Sequence, residues 1–590
     1  MMDDNLQVRL SQRQALYYFR RVLGEARDQR WMIALCLFGS LLQAGVEVRL
    51  PQVMASGIDQ FMISKAAGQV RMDGLMHLGL VYLGLVFLAA ALGFLLTLGF
   101  NRVGQLVVER LRNHLFEHLH RLPIGYFDGN PVGRLVTRVA NDTGTLSEFF
   151  TGVVANLLCD LLKLLVLLGA LFWASPRLTL SVLVLGPPAL LASVLFQRAN
   201  TRVNREIRRM LAQLNAFIQE NLQGLATLKS FTAEARMQRD FDRQNTEYLG
   251  VEMRLVYLYM LFRPLFGTIS MLSLAIILWV GGWQVTTGQI SLGTLVMFVF
   301  YLKMLFAPLD DLAERFNVLQ SAAVAAERLF LILDAEPEPQ EGQLLTSCQG
   351  RIEFRDVHFA YDPFKPVLEG VSFVLEPGQK LALVGATGSG KTTVTALLQR
   401  LYPLLQGEIL LDGVDIREIQ VDSLRRQFGI IQQELFLFRA SLRHNVTLYR
   451  EVSEAALSEA LRISRASRVV EAHPEGLARK LGERGNQLSQ GERQLVSFAR
   501  ALVDDPPVLI MDEATASIDS LTEQAIQEAL QEVLEGRTAI LVAHRLSTIQ
   551  HCDQILLLEH GKVVERGTHR ELMELNGAYA NLVRHQLEKA

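Results

Sequence analysis

Apolar positions fall into long charge-free blocks in the first half of the chain and into short runs in the second. Leu75 to Phe100 holds 26 residues without Asp, Glu, Lys or Arg, and Leu178 to Phe196 holds 19 more. At about 1.5 Å per helical residue, either block can cross a hydrocarbon core of about 30 Å. The pattern predicts six membrane-spanning helices, at 31–50, 75–100, 149–173, 178–197, 264–286 and 291–309. The last two share a 39-residue charge-free stretch, Pro264 to Leu302, too long for one span; Gly281-Gly282 with Thr287-Gly288 predicts the turn inside it. Leu106, Leu111, Leu115 and Leu119, and again Leu211, Leu214, Ile218 and Leu222, recur at helical spacing, which predicts amphipathic helices carrying the spans beyond the membrane. After Leu305 short β-rich runs alternate with helical ones, the pattern of an α/β domain. The expected organisation is an all-α six-helix transmembrane domain over 1–330, a linker over 331–350 containing the Pro- and Glu-rich Asp334 to Gly342, and an α/β domain over 351–590.

Composition narrows the class. Half of the 590 residues are apolar and 20% are charged, below the roughly 25% of soluble domains. Disorder, a collagen-like fibre, a disulfide scaffold and a purely cytosolic enzyme are excluded. Net charge is −3, with no basic patch, so no nucleic-acid partner is expected. The cysteines Cys36, Cys159, Cys348 and Cys552 are far apart and form no C-x-x-C pair, which argues against a metal or disulfide framework and places the last two in a reducing compartment. A polar stretch with Arg9, Arg13, Arg20, Arg21, Arg27 and Arg30 precedes the first apolar block, unlike a cleavable signal peptide. The loops after spans two and four are rich in arginine, from Arg102 to Arg138 and from Arg198 to Arg263, whereas the alternate loops carry Lys65, Arg71 and Arg177. The positive-inside bias therefore puts both termini in the cytoplasm.

The second half carries recognisable chemistry. The apolar strand Lys380 to Val384 leads into Gly385-Ala386-Thr387-Gly388-Ser389-Gly390-Lys391-Thr392-Thr393, a P-loop between a strand and a helix. Glycines there let backbone N–H groups close around phosphate oxygens, Lys391 reaches the β/γ-phosphates, and Thr392 can ligate Mg²⁺. A second strand, Val508 to Asp512, ends in Asp512-Glu513. Asp512 is expected to hold Mg²⁺ as the acidic residue of a Walker B strand, and Glu513 to polarise a water in line with the γ-phosphate. ATP and Mg²⁺ are thus the expected ligands.

The order of P-loop, Gln433, Leu488-Ser489-Gln490-Gly491-Glu492-Arg493-Gln494, Walker B strand, Ser517-Ile518-Asp519-Ser520 and His544 resembles the nucleotide-binding domain of ABC transporters. With six spans and two long cytoplasmic loops, nearly the whole chain resembles an exporter half-transporter, most similar to bacterial multidrug-resistance-like ones. The resemblance implies that Tyr361 stacks on adenine, unless it is a strand aromatic packed in the core. It implies that Gln433, or Gln432 in the competing register, senses Mg²⁺ and faces the membrane domain. It assigns His544 to the γ-phosphate, Asp519 to a bridge between two nucleotide domains, and Ser489 and Gly491 to the ATP of the opposite domain. The signature departs from the commonest L-S-G-G-Q at Gln490 and Glu492, and a competent site is still expected. One P-loop and one signature imply a second half-transporter chain, a related one in a heterodimer or an identical one. The first coupling segment would be Gly125 to Arg138, and the second Arg208 to Leu214.

The implied function is ATP-driven export of a small amphipathic or hydrophobic substrate across the bacterial inner membrane, within membrane lipid; an ATP-gated regulator or channel-like member of the fold is the alternative. Inside the spans stand Glu47, Arg49, Asp160, Lys163 and Lys303. Such charges are functional candidates. The bland alternatives are an i, i+3 pair for Asp160 and Lys163, an interfacial position for Glu47 and Arg49, and snorkelling for Lys303.

Overall fold

The structure, a computed structural model, describes residues 12–62, 72–433, 435–512, 520–542 and 549–587. Two compact units emerge, one of Met1–His120 with Pro131–Ala335 and one of Arg121–Asn130 with Glu336–Ala590.

The first unit is helical. In chain order it holds α1 (Gln12–Glu25), α2 (Arg30–Gly57) and α3 (Met72–Arg121). After α4 (Ile124–Gly129), which belongs to the second unit, come α5 (Val132–Thr137), α6 (Thr143–Glu148), α7 (Ala155–Ala174), α8 (Pro176–Leu183) and α9 (Gly186–Gln223). The short α10 (Leu225–Ser230) and the long α11 (Glu234–Thr286) and α12 (Leu292–Leu333) complete it. Among the described residues five helices are long and apolar enough to cross a membrane, and a shorter apolar stretch, Leu292–Leu305, opens α12 where the sixth span was expected. Local chemistry sets the starts. Ser175 caps α8 by accepting from the Leu178 N–H, with Pro176 at the first position, and Ser291 caps α12 from the Thr294 N–H. The core of this unit gathers Leu167, Leu178, Ile277, Phe298 and Tyr301, all fully buried, and the Tyr301 hydroxyl donates to the Val48 carbonyl at 2.7 Å. The apolar window of α3 buries nothing: Leu83, Phe87, Phe94 and Leu95 lie open. In water so large a patch would drive association, whereas facing lipid it carries no such penalty.

Three local expectations are corrected. The chain turns at the second of the two expected glycine sites, Thr287 to Ser291 with Gly288 at φ +71°, and not at Gly281-Gly282. Gly281 instead lies inside α11 where a Cβ would come within 2.4 Å of Leu295, so its role is close packing. Arg208 to Leu214 lies in the middle of α9; the turn that joins α9 to α11 is Gly224 to Ala233, built around α10 with Thr232 at φ +49°. A helix continues as long as no residue breaks it, and the first break after Pro188 is the glycine at 224. Third, Asp160 and Lys163 do not pair with each other: Lys163 on α7 pairs with Glu47 on α2, and Asp160 pairs with Arg315 on α12.

The second unit is α/β. An antiparallel sheet runs β2-β1-β4-β5, from β1 (Ile352–Asp362), β2 (Lys365–Leu375), β4 (Gln406–Leu411) and β5 (Val414–Asp415). A six-stranded sheet runs β10-β9-β3-β8-β7-β6, with β3 (Lys380–Val384), β6 (Phe428–Ile431), β7 (Val508–Asp512), β8 (Thr538–Val542), β9 (Gln554–Glu559) and β10 (Lys562–Gly567). All its pairings are parallel except β10 with β9. The central strands are near-continuous apolar runs, at 381–384, 508–511 and 539–542, because both faces are covered. One face packs Leu381, Leu383, Val394, Ile510 and Ile540 with the small sheet, and the other packs Ala382, Leu509, Leu541, Leu495 and Phe498 with helices.

Candidate nucleotide site

Register places the site. Leu383 of β3 and Asp512 of β7 both stand opposite Val542 of β8. The turn after β3 and the end of β7 therefore share the carboxyl edge of the sheet, two strand spacings or about 10 Å apart. In a parallel sheet this edge, where crossovers diverge, is where ligands bind.

The turn after β3 wraps the start of α13 (Lys391–Leu398). Two of its glycines are sterically required. Gly385 has φ +152° and a Cβ there would sit 2.2 Å from the Leu558 carbonyl oxygen; Gly390 has φ +103° and a Cβ would meet Leu368 at 2.5 Å. Ala386, Thr387 and Gly388 are exposed at the rim, Ser389 and Thr393 are buried, and Thr392 presents its side chain to solvent on the first turn of α13. The N–H groups of that first turn have no partners within the helix and carry the positive end of its dipole. Lys391 is 6% exposed and its Nζ donates to the carbonyls of Gly385 at 2.9 Å and Ala386 at 2.8 Å. Burial pushes the ammonium pKa down, and the Asp512 carboxylate opposes that shift. A buried cation held by neutral carbonyls beside a helix N-terminus is an electropositive cradle, complementary in sign to a polyphosphate.

Among the described residues the oxygen donors expected to hold Mg²⁺ are the Thr392 hydroxyl, the Asp512 carboxylate and the exposed Gln433 amide. Hard oxygens in small number suit an ion that keeps several waters and takes phosphate oxygens for the rest. Gln432 lines a cleft of about 490 Å³ with Arg425, Arg426, Phe436, Arg450 and Arg500, apart from the P-loop.

Tyr361, at the end of β1, is 52% exposed and so is no core aromatic; its hydroxyl shares a hydrogen bond of 3.2 Å with Thr393. Its ring meets that of Tyr402 edge to face, centroids 4.9 Å apart. Tyr402 Oη in turn donates to Asp128 Oδ2 of α4 at 2.8 Å, and Gly125 of α4 lies against the Tyr402 ring. Burial, and then the Asp128 hydrogen bond, raise the Tyr402 pKa. Tyr402 was not among the residues singled out in the sequence. It has no motif of its own there, and Asp128 is 274 positions away.

Ser489 and Gly491 open a separate helix, Gln490–Leu502, with Ser489 exposed at the N-cap and Gly491 buried. The cap explains the unusual signature. Ser489 Oγ accepts from the Glu492 N–H at 3.2 Å, and Glu492 Oε2 accepts from the Ser489 N–H at 2.7 Å, a reciprocal capping box. Glutamine makes the same two bonds, so Glu at this position keeps the geometry. The pattern S-x-x-E was legible in the sequence. Ser489→Ala is expected to cost about 1 kcal/mol, lowering the thermal transition of the α/β unit by about 2–4 °C, while Glu492→Gln leaves it unmoved. Equal shifts for both in differential scanning calorimetry would remove the cap as the reason. Glu513, Asp519 and His544 lie outside the described residues.

Comparison with known proteins agrees with both units. Residues 33–309 match the ABC transporter transmembrane region model and 368–516 the ABC transporter model. The chain is 38% identical over 494 residues to the ABC transporter ATP-binding protein YknV of Bacillus subtilis (strain 168), covering 83% of this chain and 82% of that protein. It is 32% identical over 575 residues to the ATP-dependent lipid A-core flippase of Nitrosococcus oceani, covering 97% and 96%. A solved bacterial Atm1-family ABC exporter with ATP bound superposes with a TM-score of 0.77 at 27% identity, over 94% of this chain and 98% of that one. A phosphate cradle at the edge of an α/β sheet and a set of membrane-length helices thus lie on one polypeptide because the chain belongs to the ABC transporter family, whose exporters couple ATP hydrolysis to transport.

Proposed function

We propose that the chain is one half of an exporter that moves amphipathic or hydrophobic compounds, of drug, lipid or peptide-like kind, out across the bacterial inner membrane, with both termini cytoplasmic. The observation that carries this reading is the P-loop cradle around Lys391 on the same polypeptide as helices of membrane length. The lipid A-core flippase relative, aligned over 97% of this chain, supports an amphiphile as cargo.

In this reading Tyr361 stacks on adenine, the amides from Gly385 to Thr393 and the Lys391 ammonium hold the phosphates, and Thr392, Asp512 and Gln433 hold Mg²⁺. The metal supplies charge neutralisation on the phosphate oxygens. Glu513 takes the proton of the attacking water, and His544 contacts the γ-phosphate. Ser489 and Gly491 offer the start of their helix to an ATP held by a second half-transporter, with Asp519 at the join; we favour a related chain over an identical one. The hydrogen bond from Tyr402 to Asp128 supports α4 as the element that feels the nucleotide side.

Inside-out vesicles containing the chain, alone and with a co-expressed neighbouring half-transporter, are expected to take up a fluorescent amphiphile only with hydrolysable ATP. Equal uptake with a non-hydrolysable analogue would favour an ATP-gated channel. Full uptake by the chain alone would replace the heterodimer with a homodimer.

A further inference from the structure

The nucleotide site leaves one polar cluster unexplained. Ser40, Gln43 and Glu47 recur at spacings of three and four, so they line one face of α2. Opposite them on α7 stand Cys159, Asp160 and Lys163: Ser40 Oγ lies 3.1 Å from Cys159 Sγ, and Glu47 pairs with Lys163. Gln43 Nε2 donates to Glu47 Oε1 at 3.0 Å, and Arg315 of α12 closes on Asp160. Two acids and two bases, summing to zero, therefore join three helices.

Depth makes this array informative. Glu47 lies about 15 Å along α2 from Gly57, and Lys163 about 16 Å along α7 from Ala174. That is near the middle of a hydrocarbon core of about 30 Å. Ion pairs that only braced helices at such depth should be sealed from their surroundings, because ionised groups do not face lipid. These are not sealed. Side-chain exposure is 29% for Lys163, 23% for Glu47, 27% for Asp160 and 15% for Arg315. Open in the single chain and excluded from lipid, these charges point to the interior that this half would share with its partner, where water can enter.

We propose that Glu47, Lys163, Asp160 and Arg315 line a water-filled part of the transport path and take the headgroup of a zwitterionic amphiphile. This inference rests on the export reading and names its substrate class. An anionic group would exchange onto Lys163 and Arg315 while a cationic group exchanges onto Glu47 and Asp160. The array is neutral, so a zwitterion can pair with all four groups, whereas an anion or a cation alone would leave the two like-charged groups that it does not meet without a counter-ion. A neutral headgroup cannot replace the charge-assisted bonds it displaces.

The test uses the full chain in its assembled transporter, reconstituted in nanodiscs. ATPase stimulation is titrated with lysophosphatidylcholine, lysophosphatidylglycerol and monoacylglycerol of one acyl chain. The zwitterion is expected to half-saturate at about tenfold lower concentration than either of the others. The Glu47→Gln/Lys163→Gln double variant is expected to lose that advantage, and the charge-swapped Glu47→Lys/Lys163→Glu variant to keep it, which controls for folding. Stimulation that ignores the headgroup overturns the proposal and leaves export standing. No stimulation or uptake with any amphiphile overturns the export reading as well. Independently, with Cys36, Cys348 and Cys552 replaced by Ser, Cys159 is expected to react with an anionic, membrane-impermeant methanethiosulfonate and to be protected by lysophosphatidylcholine. A Cys159 that stays unmodified in folded transporter also overturns the proposal, since no water then reaches the cluster.

Discussion

Lys391→Met is expected to lower ATP hydrolysis by about 10²-fold or more, the loss that follows removal of one preorganised donor from developing oxyanion charge. The ammonium is almost fully buried and is held by two main-chain carbonyls, those of Gly385 and Ala386. Neither partner is anionic. The cation therefore gains far more from a polyphosphate than from its partners in the loop, and moving from carbonyls to phosphate oxygens is the exchange that nucleotide binding would drive. Stability should change little. The two carbonyls lose a donor, at a cost of about 1–3 kcal/mol, but a desolvated cation is no longer buried, and Met fills a similar volume. Phosphate release by the purified transporter, with its thermal transition as the folding control, separates the two effects. Near-normal turnover in a folded Lys391→Met protein would show that the cradle is not the phosphate site.

Glu513→Gln is expected to leave ATP binding largely intact and to cut hydrolysis by at least about tenfold, toward the range of about 10²–10⁴ for a lost general base. Asp512 ends β7 at the same level of the sheet edge as the entry to the P-loop, and Glu513 is the next residue of the chain. Two adjacent carboxylates at a strand end allow a division of labour, one toward the metal and one toward the water. The amide keeps the size and hydrogen bonding of the acid but does not take a proton. Binding measured with a fluorescent ATP analogue beside steady-state phosphate release gives both halves of the expectation. Unchanged turnover would remove Glu513 as the base.

The P-loop cradle was legible because its chemistry is local. A strand, a glycine turn and a helix start follow one another within fifteen residues, 380 to 394, and backbone sterics link their order to their shape. The capping box from Ser489 to Glu492 was equally local, yet its meaning appeared only when the helix start was placed at Gln490. The membrane helices were legible in rough position for the same reason, since hydropathy is a sum over neighbours; among the described residues five of the six expected spans are long apolar helices and the sixth is a shorter apolar stretch. Their turns were less so: a double glycine at 281–282 served packing against Leu295, and the α9 to α11 turn fell some ten residues beyond the expected coupling segment.

Partner choice among charges was not legible at all. Asp160 had an opposite charge one helical turn away in Lys163 and took Arg315, 155 positions on, while Lys163 took Glu47 from α2. Tyr402 found Asp128 across 274 positions. The sequence by itself determined which segments are apolar enough to cross a membrane and which turn can cradle phosphate, because those properties depend on steric and solvation terms set within a few residues. Only the tertiary structure decided which helices meet and therefore which charge neutralises which. An ion pairs with the opposite charge that packing brings within reach, because attraction falls with distance, and packing is settled by contacts spread over the whole fold.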